Sequence, residues 1–93
     1  MDGTEFAKLQ IHSVEQDGLD GGVCIARCIE GIVRTGQSFA LEEGDDPRRF
    51  TVDRIEKGRT VEFMDAPHSL LARLSGGPLT GLGYGDVLVC RSA

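Results

Sequence analysis

Glycine interrupts this sequence so often that a long helix cannot fit into it. Thirteen of the 93 residues are glycine, about twice the usual share. Few stretches keep the i, i+3, i+4, i+7 spacing of an amphipathic helix, and most of those contain a glycine. Between the glycines, apolar and polar residues alternate over short runs, which is the pattern of β-strands. The glycines therefore predict many tight turns between short strands.

Seven short strands are predicted, with turns about every 8–12 residues. They cover residues 6–14, 23–29, 39–42, 50–55, 61–64, 70–74 and 86–90. The first places Ala7, Leu9 and Ile11 on one face. The second is small or apolar at nearly every position, which predicts a strand covered on both faces. The fourth places Phe50 and Val52 on one face, which Arg54 would share, and Ile55 on the other.

This number of strands limits the fold. A chain of 93 residues has room for one hydrophobic core, so we expect residues 1–93 to form a single domain. Short strands with frequent turns are typical of a small antiparallel barrel or sandwich, and closure into a barrel removes unpaired strand edges. We predict an all-β fold: a small, closed or nearly closed antiparallel barrel of six to seven strands.

The charge of the chain argues against some partners and leaves others open. The formal net charge is −5, so long-range attraction to nucleic acid or to an anionic membrane is not expected. Residues 47–93 nevertheless hold seven bases and five acids. Five of these bases form a cluster: Arg48, Arg49, Arg54, Lys57 and Arg59. The cluster is either a solvated face or a docking face for RNA or an acidic protein, and the scarcity of nearby aromatics argues against base stacking.

No catalytic or metal-binding constellation is evident. Cys24 and Cys28 would share one face of a strand and are predicted to be buried thiols. Two histidines do not complete a metal-ligand set, and His68 and Ser69, adjacent in sequence, would point to opposite faces of a strand. The loop at residues 42–46 lacks the spaced ligands of a calcium loop. We therefore predict no cofactor and no metal.

The number of cysteines and the short apolar runs indicate a compartment. Three cysteines, without a basic-then-apolar leader, argue against a secreted disulfide framework. The apolar runs are far shorter than the ~20 residues that cross a bilayer. Residues 81–85, rich in glycine, are expected to form a turn and not a phosphate loop, because a strand and not a helix follows them. A cytoplasmic location is the simplest expectation.

The stretch GGVCIARCIEGIVRTGQSF, at residues 21–39, resembles the second, β-barrel domain of translational GTPases such as elongation factor Tu. In that family a strand runs into glycine, two apolar residues, a basic residue, a variable residue, glycine and a polar residue, as residues 31–37 do here. FTVDRIE at 50–56 is similar to the family's middle strand, LLARLSG at 70–76 to a strand ending in glycine, and LGYGDVL at 82–88 to the closing segment. The resemblance covers residues 6–89, and positive φ at Gly31 and Gly36 would suit it.

The resemblance implies a β-barrel binding module. No G-x-x-x-x-G-K-[ST] loop occurs in the sequence, so nucleotide hydrolysis is not implied. Arg27 matches a basic strand residue that lies on the ribosomal-RNA face in the family, whereas Glu30 stands where a cation is usual and Ala26 where glycine is frequent. We expect a non-enzymatic module that docks a protein partner. The alternatives are a ribosome or RNA contact and an enzyme with an unrecognised site.

The candidate binding residues combine the basic cluster with two further arginines. They are Arg27, Arg34, Arg48, Arg49, Arg54, Lys57 and Arg59. Long cationic side chains of this kind contact phosphates or the carboxylates of an acidic partner. They define the surfaces on which binding is expected.

Overall fold

The computed structural model describes residues 5–92, and the side chains of residues 6–90. All of its regular elements are β-strands. They are β1 (Glu5–Asp17), β2 (Gly21–Arg34), β3 (Ser38–Leu41), β4 (Arg49–Glu56), β5 (Thr60–Val61), β6 (Phe63–Asp65), β7 (Ser69–Ser75) and β8 (Val87–Ser92). Nothing helical in residues 5–92 has the length and apolar character needed to cross a membrane.

Six of the strands form a closed antiparallel barrel. Neighbouring strands follow the order β1-β8-β3-β4-β7-β2, and β1 pairs again with β2, so that the sheet returns to its start. The two shortest strands lie outside this ring: β5 pairs with β4, and β6 pairs with β2. Closure gives every strand of the ring two neighbours and leaves no open edge in it. The predicted all-β, closed barrel of six to seven strands is confirmed.

The barrel interior is filled by apolar side chains. The predicted inward face of Ala7, Leu9 and Ile11 is fully buried, as strand alternation requires. Phe39 of β3 lies opposite Phe50 of β4, and both are fully buried. The other members of this core are Cys24, Ala26, Cys28, Val33, Val52, Ile55, Met64, Leu70, Ala72, Leu74, Leu79, Leu82, Leu88 and Cys90. No polar or charged side chain is buried among the described residues.

A bulge in β4 changes one predicted face. Val52 pairs with Leu74 and Arg54 with Arg73, so Asp53 is an extra residue on β4. An extra residue shifts the alternation by one position. Ile55 therefore joins Phe50 and Val52 inside the barrel, while Arg54 is exposed. The prediction that Ile55 and Val52 lie on opposite faces of the strand was wrong for this reason.

The outer face of β2 is covered at its start and open further along, whereas residues 23–29 were predicted to be covered on both faces: Val23 is buried and Ile25 is half-buried. Cys24, Ala26 and Cys28 are buried inside the barrel. On the outer face Arg27 is exposed and Ile29 is 37% exposed. A closed barrel of one sheet has a single interior, and no second layer packs on the outside of β2 in residues 5–92. The prediction of a strand covered on both faces therefore holds at Val23 and is wrong at Arg27 and Ile29.

The chain between β4 and β7 forms two short strands that lie outside the ring. The single strand predicted at residues 61–64 is replaced by two, β5 and β6, which pair with different neighbours. Between them, the carbonyl of Glu62 accepts a hydrogen bond from the amide of Thr35. β2 itself continues through Gly31 to Arg34 before it turns, and Val33 is buried while Ile32 is exposed. Gly31 and Gly36 have the expected positive φ, at 72° and 91°, but Gly31 lies within β2 and only Gly36 lies in a turn.

Candidate functional site

The seven candidate cations do not form one surface. Arg49 begins β4 and is exposed, and Arg54 lies near its other end. The seven β4 steps between Arg49 and Glu56 span roughly 23 Å at about 3.3 Å per residue. Lys57 and Arg59 are exposed in the turn that joins β4 to β5. The cluster in the sequence is therefore spread along the barrel in space.

Arg48 has a structural role. Its Nη1 donates hydrogen bonds to the carbonyls of Pro78, at 2.8 Å, and Thr80, at 2.7 Å. Its Nε and Nη2 donate to the carboxylate of Asp46, at 3.0 and 2.7 Å. The hydrogen bonds with this carboxylate raise the pKa of Arg48, and the same hydrogen bonds lower the pKa of Asp46. Since the guanidinium is half-buried and committed to these partners, it fixes the loop before β8.

Arg54 and Arg73 form a second basic position. Arg54 on β4 lies opposite Arg73 on β7. The Nε of Arg54 is 3.5 Å from Glu56 Oε2, a long and exposed ion pair of little energetic weight. Arg73 was not among the candidate cations predicted from the sequence, because it reaches Arg54 only through the pairing of β4 with β7, which joins residues about twenty positions apart. The carboxylate of Glu56 offsets part of the charge here.

Arg27 lies in a shallow groove beside the loop that precedes β8. The groove measures about 400 Å³ and is lined in part by Gln10, His12, Ser69 and Tyr84. The rings of His12 and Tyr84 meet edge to face, with centroids 5.6 Å apart and planes at 76°. Tyr84 is 82% exposed. This groove places a cation beside an exposed aromatic ring.

Arg34 and Arg59 lie together at the other end of β2, beside exposed apolar side chains. A groove of about 540 Å³ runs between them and is lined also by Val61 and Phe63. Arg34 is directly opposite Phe63 in the β2–β6 pair. Phe63 is 53% exposed, and Ile32, two residues before Arg34 on the same face, is 39% exposed. We call these five residues, Ile32, Arg34, Arg59, Val61 and Phe63, the β6 patch.

A second, smaller hollow extends the β6 patch. It measures about 280 Å³ and is lined by Phe6, Gly31, Ile32, Arg34 and Gln37. Arg34 borders both hollows. The patch thus presents two concave regions with a cation between them, which is a shape that can receive side chains of a partner.

Within residues 6–90, the cations of the β6 patch take part in no ion pair. The ion pairs in residues 6–90 join Lys8 to Glu42, Arg48 to Asp46, Arg54 to Glu56 and His68 to Asp65. Arg34 and Arg59 take part in none of them. Both arginines are exposed, and no carboxylate in residues 6–90 neutralises them, so they can attract a ligand of opposite charge.

The apolar part of this patch was not predicted from the sequence. Ile32 alternates with Val33, which is buried, so an outward-facing isoleucine could have been read from the strand period. Phe63 gave no such signal, because its exposure depends on which strands β5 and β6 pair with. Aromatic and arginine side chains together are typical of the energetic centres of protein interfaces.

The remaining titratable groups are occupied in structural contacts or are exposed at the surface. Cys24, Cys28 and Cys90 form no disulfide and are buried, as predicted for the first two. Burial raises the pKa of Cys24 to about 12. His68 is exposed, with Nδ1 3.0 Å from Asp65 Oδ1. No group of three potential metal ligands occurs in the described part of the chain.

Comparison with solved structures relates this barrel to a translation factor. The crystal structure of GDP-bound aIF5B from Aeropyrum pernix, a translational GTPase, superimposes with a TM-score of 0.79 at 18% identity. The match covers 92% of this chain and 15% of that chain. No family model and no curated protein matches the sequence. At this identity the comparison establishes fold alone: the chain has the fold of a translation-factor barrel domain.

Proposed function

We propose that this chain is a non-enzymatic docking module of the translation-factor second-domain type, acting in the cytoplasm, and that it binds a protein partner through the β6 patch. The observation that carries the proposal is the exposure of Ile32 and Phe63 beside Arg34 and Arg59, two arginines that form no ion pair within residues 6–90. Isolated exposed apolar residues are common on protein surfaces, but a cluster of them in a hollow is typical of an interaction site.

The composition of the β6 patch favours a protein over a nucleic acid as the occupant. Arginine and aromatic side chains are enriched at the centres of protein interfaces. The net charge of −5 opposes the long-range attraction on which most nucleic-acid binding depends. A protein that offers an apolar side chain and carboxylates would fill the hollow and pair with Arg34 and Arg59.

Affinity capture from cell extract with charge-reversed variants tests the proposal. The test variant combines Arg34→Glu with Arg59→Glu, and the control combines Arg49→Glu with Arg73→Glu, which are exposed cations elsewhere on the barrel. Both variants change the net charge equally. Capture is compared at low and moderate salt, with and without nuclease.

We expect one set of proteins to be captured by the wild type and by the control, and lost with the test variant. The recovery should survive nuclease treatment and change little with salt. Equal loss in both variants would contradict docking through the β6 patch. Recovery that disappears with nuclease would instead support an RNA contact.

A second candidate function is an RNA contact at the groove of Arg27. It is favoured by the exposed Tyr84, because RNA-binding proteins stack unpaired bases on aromatic side chains beside cations. Binding of a labelled single-stranded RNA should then weaken with Arg27→Glu and with Tyr84→Ala, and fall steeply with salt. Unchanged RNA binding in both variants would contradict this second candidate.

A further inference from the structure

The hydrogen bonds of β6 leave one side of this strand unpaired. The amide of Thr35 donates to the carbonyl of Glu62, so this pair occupies a hydrogen-bonded position of the β2–β6 ladder. In antiparallel strands such pairs alternate with pairs that do not exchange bonds. Arg34 and Phe63 are the next pair along the ladder, and Val33 and Met64 the one after. Met64 therefore bonds to β2, and the backbone of Phe63 points the other way.

The unpaired side of β6 has defined ends. The carbonyl of Asp65 accepts a hydrogen bond from the amide of His68, at 3.0 Å, so it is already occupied. The strand that precedes Phe63 in the chain is β5, which pairs with β4. Within residues 5–92, β6 pairs with β2 alone. Three backbone groups have no backbone partner within residues 5–92 and are left to a ligand: the N–H and C=O of Phe63 and the N–H of Asp65.

The geometry points to strand addition: we infer that the partner docks as an extended acidic segment that pairs with the open side of β6. This inference rests on the proposed docking function and specifies how the partner binds. Extended segments that add to an open strand gain affinity from backbone hydrogen bonds and specificity from alternate side chains. Here the alternate side chains would meet the hollow beside Phe63 and the guanidinium groups of Arg34 and Arg59.

The charges beside β6 indicate why the segment should be acidic. Two cations, Arg34 and Arg59, and one carboxylate, Glu62, line the larger hollow. Lys57, in the turn next to Arg59, is also exposed. Neither arginine is paired with a carboxylate in residues 6–90. Like charges held close together repel, so a basic segment would be disfavoured and an acidic one attracted.

Selection of peptides against the full chain tests this inference. The probe is a displayed library of randomised twelve-residue peptides. Enriched peptides should alternate apolar with Asp or Glu residues and should lose at least tenfold in affinity for the Phe63→Ala variant. Peptides rich in Lys or Arg, or a library that yields no peptide dependent on Phe63, would overturn the inference.

Two measurements separate strand addition from side-chain docking. In amide exchange, bound peptide should slow Phe63 at least tenfold and change Met64 little, because Met64 is already bonded to Val33. The peptide is also made in two N-methylated forms, one methylated at its odd residues and one at its even residues. One form should bind at least tenfold more weakly, and the other should bind almost unchanged, because its methylated amides point away from β6.

The outcomes also separate this inference from the proposed function. If Phe63→Ala abolishes binding but Phe63 exchange and N-methylation have no effect, the β6 patch docks partners and strand addition is wrong. If proteins captured from extract bind independently of the patch, the proposed function itself is wrong. Self-association of the chain that is lost with Phe63→Ala, and no peptide binding, would make a second copy the occupant and overturn the inference.

Discussion

Replacement of Gly31 by alanine tests the closure of the barrel. Gly31 lies where β2 pairs with β1, opposite Ala7. A Cβ atom built at this position would be 2.1 Å from the carbonyl oxygen of Phe6 and 3.1 Å from the Cα atom of Ala7. Both are backbone atoms and cannot move aside as the end of a flexible side chain can. The substitution therefore forces β1 and β2 apart where they close the ring.

The expected cost has two parts. The first is the positive φ of 72°, which costs a residue with a Cβ atom about 1–2 kcal/mol. The second is the displacement of β1, which weakens one or two ladder hydrogen bonds at about 1 kcal/mol each. The free energy of unfolding should thus fall by about 2–4 kcal/mol. This is a large part of the stability of a domain of this size.

Gly36→Ala is the matched control. Gly36 has a φ of 91°, but an added Cβ atom would have nothing within 4 Å. Its substitution should cost only the backbone strain of about 1–2 kcal/mol. Urea unfolding, followed by circular dichroism, measures both variants. If Gly31→Ala destabilises the protein no more than Gly36→Ala does, the close approach of β1 and β2 described here is wrong.

Three further predictions concern stability and reactivity. Arg48→Ala should reduce the free energy of unfolding by about 1–3 kcal/mol and increase amide exchange in residues 77–81, because two loop carbonyls lose their donor; unchanged exchange would contradict this. The hydrogen bond from the Leu79 amide lowers the pKa of Asp17. The ionised Asp17 therefore stabilises the fold fully at pH values above the ordinary carboxylate pKa of 3.8, and this stabilisation is lost as the pH falls through the lowered pKa. Asp17→Asn should flatten this acid limb in pH-dependent thermal unfolding, and an unaltered limb would contradict the assignment. Cys24, with its pKa raised to about 12 by burial, should react with a thiol reagent only as fast as the barrel opens; rapid labelling in the native state would refute its burial.

Alternation along single strands predicted the barrel interior where the strands are regular. Ala7, Leu9 and Ile11 face inward as the period of two requires. The same reasoning failed at Ile55, because the extra residue Asp53 shifts the alternation. A bulge of this kind is decided by how β4 and β7 align, and a single strand carries no mark of it.

The surface that we propose for docking was predicted only in part. Arg34 and Arg59 were named from the sequence, but Phe63 beside them depends on pairing between β2 and β6. Arg48 was named for binding, yet its hydrogen-bond acceptors lie 30 and 32 residues away. The sequence identifies the cations, whereas the fold decides which of them bond to other groups of the same chain and which remain exposed.

Titration of the captured partner against Phe63→Ala and Leu19→Ala tests the central claim most directly. Leu19 is 89% exposed in the turn at the opposite end of β2, so the two substitutions remove exposed apolar side chains at distant sites. Calorimetry should show a dissociation constant at least tenfold higher for Phe63→Ala, which corresponds to about 1.4 kcal/mol, and a change of less than twofold for Leu19→Ala. Equal dissociation constants for the two variants would show that the β6 patch does not bind the partner.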